Sequence, residues 1–443
     1  MSMTILDFLR EFPYTTCDTI MEYFLIEGGN SLNGDITVSG AKNAALKLLA
    51  AALLTSEPCI IRNVPDIADV RSLLAILQGI GAAVAFNKNT VSIHCKTISS
   101  THPDYQLVKH LRASIMVVGP LLARSGEVTI PLPGGCLIGA RPIDTHIRAL
   151  QQLGVSVDRD DDLYAFSAKK LLGNKVVLDE MSVTATENAL LAACLAQGET
   201  EIHLAASEPE ISDLAGFLNS MGAQIDGIGT SLLRVRGQSK LHGSDYTLIP
   251  DRIEAGTFAI AAAVSRGKVN IHGVCPDHLD AVLNVLQRAN VQYLLEREDN
   301  MHSTLCILPT TIFEPISIDT RPYPGFPTDL QAPISVLMTQ AKGMGRIFET
   351  MYDGRLGYIK ELQRMGADAK TVDQHTAVIN GPTILYGKRI TSFDIRAGAT
   401  LLIAALIAQG ESTLEHIERI DRGYEHIDGR LKELGAHITR HKA

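Results

Sequence analysis

The stretch Pro133-Gly134-Gly135-Cys136-Leu137-Ile138-Gly139-Ala140-Arg141-Pro142 places a thiol on glycine-rich backbone five positions before a fixed cation. Gly134, Gly135 and Gly139 admit backbone geometries closed to other residues and let a ligand approach the main chain. Arg141 favours a thiolate or holds an anion, so position and charge mark Cys136 as a reactive cysteine. The competing reading is that a free cysteine is a small buried hydrophobe. That reading suits Cys59, Cys95, Cys194, Cys275 and Cys306, which lie in apolar or alternating runs, while Cys17 belongs to the N-terminal segment.

A loop of this kind needs a framework, and the framework is repetitive. Nearly all-apolar segments recur at Ala44 to Leu54, Ile115 to Ala123, Ala189 to Ala196, Phe258 to Val264, Pro333 to Met338 and Leu401 to Ala408. Each is followed by a small turn and a strand-like run such as Cys59-Ile60-Ile61, Glu127 to Ile130 or Lys268 to Ile271. An amphipathic segment then closes on Gly81, Gly154, Gly222, Asn290, Gly366 or Gly435, the residue types that a left-handed helix C-terminus favours. Alternating runs such as Ala82 to Phe86 and Thr90 to His94 read as paired strands. A helix apolar on all sides must be enclosed by protein, which predicts three inner helices in each of two domains. The last unit ends one strand short while Tyr23 to Glu27 supplies a spare one, so the start of the chain is expected to complete the end.

Composition bounds the function. With 443 residues, 46% hydrophobic and 20% charged, the chain is too long for one ordinary domain and sufficient for two cores. Seven cysteines with no CxxC fit a reducing cytoplasm better than secretion and speak against structural zinc. Asp7, Arg10 and Glu11 interrupt what a signal peptide would need as an apolar core, and no apolar run is long enough to span a membrane. A net charge of −9 without Trp leaves no nucleic-acid footprint. The P-loop, dinucleotide, zinc-protease and serine-hydrolase signatures are all missing.

Four stretches, Ser39-Gly40-Ala41-Lys42-Asn43-Ala44-Ala45, Pro133 to Asp144, Tyr323-Pro324-Gly325-Phe326-Pro327-Thr328-Asp329 and Ile420-Asp421-Arg422-Gly423-Tyr424, resemble the UDP-N-acetylglucosamine enolpyruvyl transferases, in family order from about Met21 to the end. The resemblance implies a two-domain inside-out α/β barrel built from six βαβαββ-like units. Its expected division is residues 42–249 as the domain carrying the cysteine loop and 21–41 with 250–443 as a discontinuous second domain. Residues 1–20 would be an extension, with Ile5, Leu6, Phe8 and Leu9 as a short docked helix, or precede a true start at Met21. The implied reaction moves the enolpyruvyl group of phosphoenolpyruvate to the 3-hydroxyl of UDP-N-acetylglucosamine, with no metal or organic cofactor. A sibling enzyme uses shikimate 3-phosphate instead, and a non-catalytic sugar-nucleotide-binding paralogue is the alternative from another class.

By the same resemblance, Lys42, Arg141, Arg396 and Arg422 meet phosphoenolpyruvate or its phosphate, and Arg112 and Arg355 are further substrate arginines. Asp329 is the base toward the hydroxyl, and Cys136 the acid toward the enol carbon or a covalent partner in product release. Asp329 also reads as a helix N-cap before Leu330. Arg141, Pro142, Ile143, Asp144 and Thr145, with Ser182 and Val183, form the uridine and diphosphate segment; Asn43 and Met351 complete the acceptor site. Asp394 and Arg396 make an acid-base pair on the substrate side or an ordinary helix-start pair. Lys42, Arg112 and Arg396 fall at or just before inner helices, whose N-termini attract anions. Lys47, Glu180 and the Met351 to Leu356 stretch depart from the family pattern. Site residues in both halves imply that closure brings them together.

Overall fold

In a computed structural model that describes residues 22–135, 142–299 and 302–442, the apolar runs become buried helices at Lys42–Ala51, Val118–Ser125, Val183–Ala193, Arg252–Val264, Thr328–Thr339 and Ile395–Ile407. Their alanine-rich faces let them pack against one another, the first three in one hydrophobic core and the last three in a second. The second core also takes Phe24, Ile26, Leu32, Ile36 and Val38 from the start of the described chain.

Among the described residues the strands form six separate sheets, five of four strands and one of three. Strands such as Leu232–Arg236 alternate buried and exposed side chains, as a sheet with one wet face requires. Helices therefore lie inside and sheets outside, and the sheets stay separate rather than joining into a closed hydrogen-bonded barrel. Glu22–Glu27 sits between Glu411–Glu415 and His437–Lys442, antiparallel to both, so the chain's start completes its final sheet.

Gly81, Gly154, Gly222, Asn290, Gly366 and Gly435 all take positive φ just after their helices. The unit boundaries read from those residues are thus the ones the backbone uses.

The chain passes between the cores on two adjacent segments. Asp251 N–H donates to Ser39 O at 2.9 Å and Ala41 N–H to Ile249 O at 2.8 Å. Gly40 is required there, because a Cβ would lie 1.7 Å from Asn63 O. Each segment runs directly into an inner helix, Lys42–Ala51 on one side and Arg252–Val264 on the other. Asp251 serves both: one carboxylate oxygen accepts from Ile253 and Glu254 N–H, the other from Lys42 N–H at 3.0 Å.

Candidate active site

Lys42 is the first residue of its helix and is buried, with its ammonium 2.8 Å from Asp69 Oδ2. Asp69 lies on the Ala68–Ile80 helix, and its other oxygen accepts from Arg422 Nε at 2.8 Å. Arg422 also donates to Gly135 O at 2.6 Å, at the edge of the cysteine loop. Burial pushes the Lys42 pKa down, and the cations Arg396 and Arg422 push the same way against Asp69. Burial would raise Asp69, but Lys42 and Arg422 outweigh it and hold the carboxyl below its ordinary value.

A second cluster comes from the later half. Asp329, on the first turn of Thr328–Thr339, accepts from Arg396 Nη2 at 2.9 Å and from Arg355 Nη2 at 2.5 Å. Burial would raise its pKa too, yet the two guanidinium groups hold it far below the usual carboxylate range. Arg355 also donates to Thr328 Oγ1, which donates to the buried Glu349. Arg355 Nε is buried without a hydrogen-bond partner among the described residues, an unmet donor inside a cationic cluster. In each cluster two cations share one directly paired carboxylate, Asp69 or Asp329, which leaves cationic groups to face an anionic ligand.

The clusters meet around the Asp421-Arg422-Gly423-Tyr424 segment. A Cβ on Gly423 would lie 2.7 Å from Ile395 Cγ2 and 3.7 Å from Lys42 Cδ, so glycine lets the Lys42 and Ile395 helix starts close on one turn. Tyr424 presents its ring to Arg396, 5.4 Å from the guanidinium carbon, and exchanges a hydroxyl hydrogen bond with Thr257 at 2.9 Å. Alternate residues of a single turn thus address both clusters.

Arg112 grips the two shoulders of the cysteine loop, donating to Pro133 O and Pro142 O at 3.1 Å each. Gly134 and Gly135 pass so close to the Tyr105–His110 helix that a Cβ would meet Lys109 O at 2.1 Å or His110 O at 2.2 Å. Cys136 and Arg141 themselves lie outside the described residues, as does Cys17. Beyond the loop, Ile143 is buried and Asp144 and Thr145 begin a helix that runs to Gln152. His146 Nε2 is 3.0 Å from Thr184 Oγ1, which joins that helix to the one Ser182 and Val183 begin. Asn43 is half-buried next to Lys42, and Met351 is exposed.

The family model of EPSP synthase (3-phosphoshikimate 1-carboxyvinyltransferase) matches residues 26–431. A UDP-N-acetylglucosamine 1-carboxyvinyltransferase 2 from Carboxydothermus hydrogenoformans is 44% identical over 95% of this chain and 99% of that one. The UDP-N-acetylglucosamine 1-carboxyvinyltransferase of Gloeobacter violaceus is 45% identical over 95% of this chain and 90% of its own. The chain belongs to the enolpyruvyl transferase family. Among solved structures, the enolpyruvyl transferase NikO from Streptomyces tendae shares the fold with a TM-score of 0.86 and 25% identity, covering 96% of this chain and 100% of that one. EPSP synthase from Acinetobacter baumannii shares it at 0.75 and 17%, covering 95% and 100%.

Against this enolpyruvyl transferase framework, four expectations change. The helix starts at Lys42 and Arg396 are not open anion sites: Asp251 accepts the Lys42 N–H, and Asp394 accepts from Arg396 N–H at 2.7 Å and Ala397 N–H at 2.9 Å. Arg112 opens a six-residue 3-10 turn instead of an α-helix. Asp394 meets Arg396 through backbone, whereas the guanidinium goes to Asp329. Asp329 does not cap its helix, since Pro327 holds the N-cap position and the Asp329 carboxylate faces the arginines.

Asp69, Asp251 and Glu349 escaped the sequence reading of this enolpyruvyl transferase. Asp251 had a signal, because Asp251 followed by Glu254 three residues later is a capping pattern ahead of an apolar run. Asp69 had none, since one carboxylate in an amphipathic helix reads as a solvated side chain. Lys47 is not a surface residue: it is buried 3.5 Å from Glu187.

Proposed function

We propose that this chain transfers the enolpyruvyl group of phosphoenolpyruvate to the 3-hydroxyl of UDP-N-acetylglucosamine with release of phosphate, the first committed step of peptidoglycan synthesis. Near full-length identity to proteins named for that transfer carries the reading. The two cation-rich clusters supply what its small trianionic substrate demands. Among the described residues no helix is long and apolar enough to cross a membrane. The proposal extends to work in the cytoplasm, in support of cell shape and division.

In the proposed mechanism, Lys42, Arg396 and Arg422 hold phosphoenolpyruvate, with Arg112 and Arg355 as further contacts and Arg141 reaching the phosphate or the diphosphate. Pro142, Ile143, Asp144 and Thr145, with Ser182 and Val183, hold the nucleotide; Asn43 and Met351 border the sugar, and Asp394 fixes Arg396 through its backbone. The sugar oxygen attacks carbon 2 of the enol while its proton leaves toward Asp329. Carbon 3 gains a proton from Cys136, giving a tetrahedral adduct. Loss of a proton from carbon 3 and cleavage of the carbon–oxygen bond to phosphate regenerate the enol ether.

Asp329, held ionised by two guanidinium groups, is a weak base while both contacts persist. A substrate anion that draws Arg355 or Arg396 toward itself restores the proton affinity of Asp329 when the hydroxyl is in place. Phosphate release from phosphoenolpyruvate with UDP-N-acetylglucosamine tests the function. Release with shikimate 3-phosphate alone would transfer the assignment to the sibling activity.

A further inference from the structure

Glu187 is completely buried on the Val183–Ala193 helix, and neither of its carboxylate oxygens has a hydrogen-bond partner among the described residues. Its compensating contact is Lys47 Nζ, 3.5 Å away on the Lys42–Ala51 helix and itself buried. The other charged groups acting on Glu187 are Glu208 and Glu210, of its own sign. Both are engaged elsewhere, Glu210 with Arg252 at 3.1 Å and Glu208 with Tyr323 N–H at 3.3 Å. Burying such a pair is costly, and apolar side chains of like volume commonly serve stability as well or better. Its placement therefore asks for a reason other than stability.

The spacing supplies one. Lys47 is four residues after Asn43 and Glu187 four after Val183, so each lies one turn behind a proposed acceptor residue on the same helix face. The two helix starts that would embrace the sugar nucleotide are thus tied by a single charge pair one turn back. Thr186 adds to the anchoring, donating to Ser182 O at 2.8 Å and accepting from Ala206 N–H at 3.0 Å.

We propose that Lys47 and Glu187 are positioning residues that set the distance between the Asn43 and Ser182–Val183 edges of the acceptor site. This rests on the function proposed above. The pair governs sugar-nucleotide affinity more than turnover, because it lies one turn behind the binding residues on both helices and its charges are spent on each other.

The test is steady-state kinetics on the full chain, with each substrate varied and thermal melting measured in parallel, for Lys47→Met, Glu187→Gln, the exchange Lys47→Glu with Glu187→Lys, and Lys47→Met with Glu187→Met. Each single variant is expected to raise KM for UDP-N-acetylglucosamine about tenfold, with kcat and KM for phosphoenolpyruvate changed less than about twofold. The exchange is expected to recover most of the lost KM. Single variants that melt earlier with unchanged KM would overturn the proposal. Where they fail to fold, the double methionine variant decides, a raised KM supporting the proposal and a wild-type KM overturning it. A wild-type protein inactive with UDP-N-acetylglucosamine would instead locate the failure in the parent function.

Discussion

Asp69 and Arg422, 353 positions apart in sequence, share a 2.8 Å ion pair with Lys42 on the opposite carboxylate oxygen. One carboxylate thereby orients two cations, Lys42 from a helix of the first core and Arg422 from a turn beside the second. Asp69→Asn keeps the shape and removes the charge that holds both. The expected result is a rise of about tenfold or more in KM for phosphoenolpyruvate, with KM for the sugar nucleotide less affected, measured by phosphate release. Equal changes in both constants would contradict the assignment of these cations to the smaller substrate.

Asp329→Asn is expected to reduce kcat at least about a hundredfold, as removal of a general base does. Its pH signature is separate from its rate effect. The folded-state pKa lies below the unfolded one, so the ion pairs contribute stability that is full above about pH 4 and is lost as pH falls through the folded value. Acid unfolding of the Asn variant, followed by circular dichroism, should be shallower below pH 4 than that of the wild type. Parallel curves would show that the Arg355 and Arg396 contacts carry no such linkage.

Cys136→Ala is expected to lose turnover or product release, and fosfomycin, an epoxide that by the family resemblance targets the loop cysteine, is expected to alkylate the Cys136 thiol of the wild type. Cys136→Asp should remain active and escape the drug. Intact-mass and peptide mass spectrometry read both outcomes, and an inactivated protein with an unmodified Cys136 would contradict them. The other described cysteines are a built-in control: Cys59, Cys95, Cys194, Cys275 and Cys306 are buried, and burial pushes the Cys194 thiol up to about 12.

Asp213 gives the opposite pH signature to Asp329. Burial pushes its carboxyl up to about 7, against hydrogen bonds from the Tyr246 hydroxyl at 2.9 Å and Ile249 N–H at 3.4 Å. A raised carboxyl means that stability falls as pH rises from about 4 to about 7, then levels, a cost of up to about 4 kcal/mol from a shift of this size. Asp213→Asn should flatten that slope in denaturant titrations at pH 5 and pH 8. An unchanged difference between the two pH values would show that Asp213 is ionised throughout.

The repeat was legible because it rests on local rules. A helix that is apolar all round has one place to go, and Gly81 or Asn290 at a helix end has one backbone region to occupy. The cation set was legible only through family resemblance, since isolated arginines carry no spacing signal. What stayed hidden was pairing across distance: Asp69 with Arg422, Lys47 with Glu187, and Asp251 across two helix starts depend on three-dimensional approach that no window of sequence contains. For Asp394 and Arg396 adjacency left a substrate-side pair and a helix-start role both open, and the carboxylate caps the helix while the guanidinium goes to Asp329.

The most direct measurement is phosphate release by the purified full chain from phosphoenolpyruvate, with UDP-N-acetylglucosamine or shikimate 3-phosphate as acceptor and the product weighed by mass spectrometry. The account predicts release with the sugar nucleotide alone and a product heavier than it by one enolpyruvyl group. Phosphate released only with shikimate 3-phosphate, or no product from either acceptor, would contradict it.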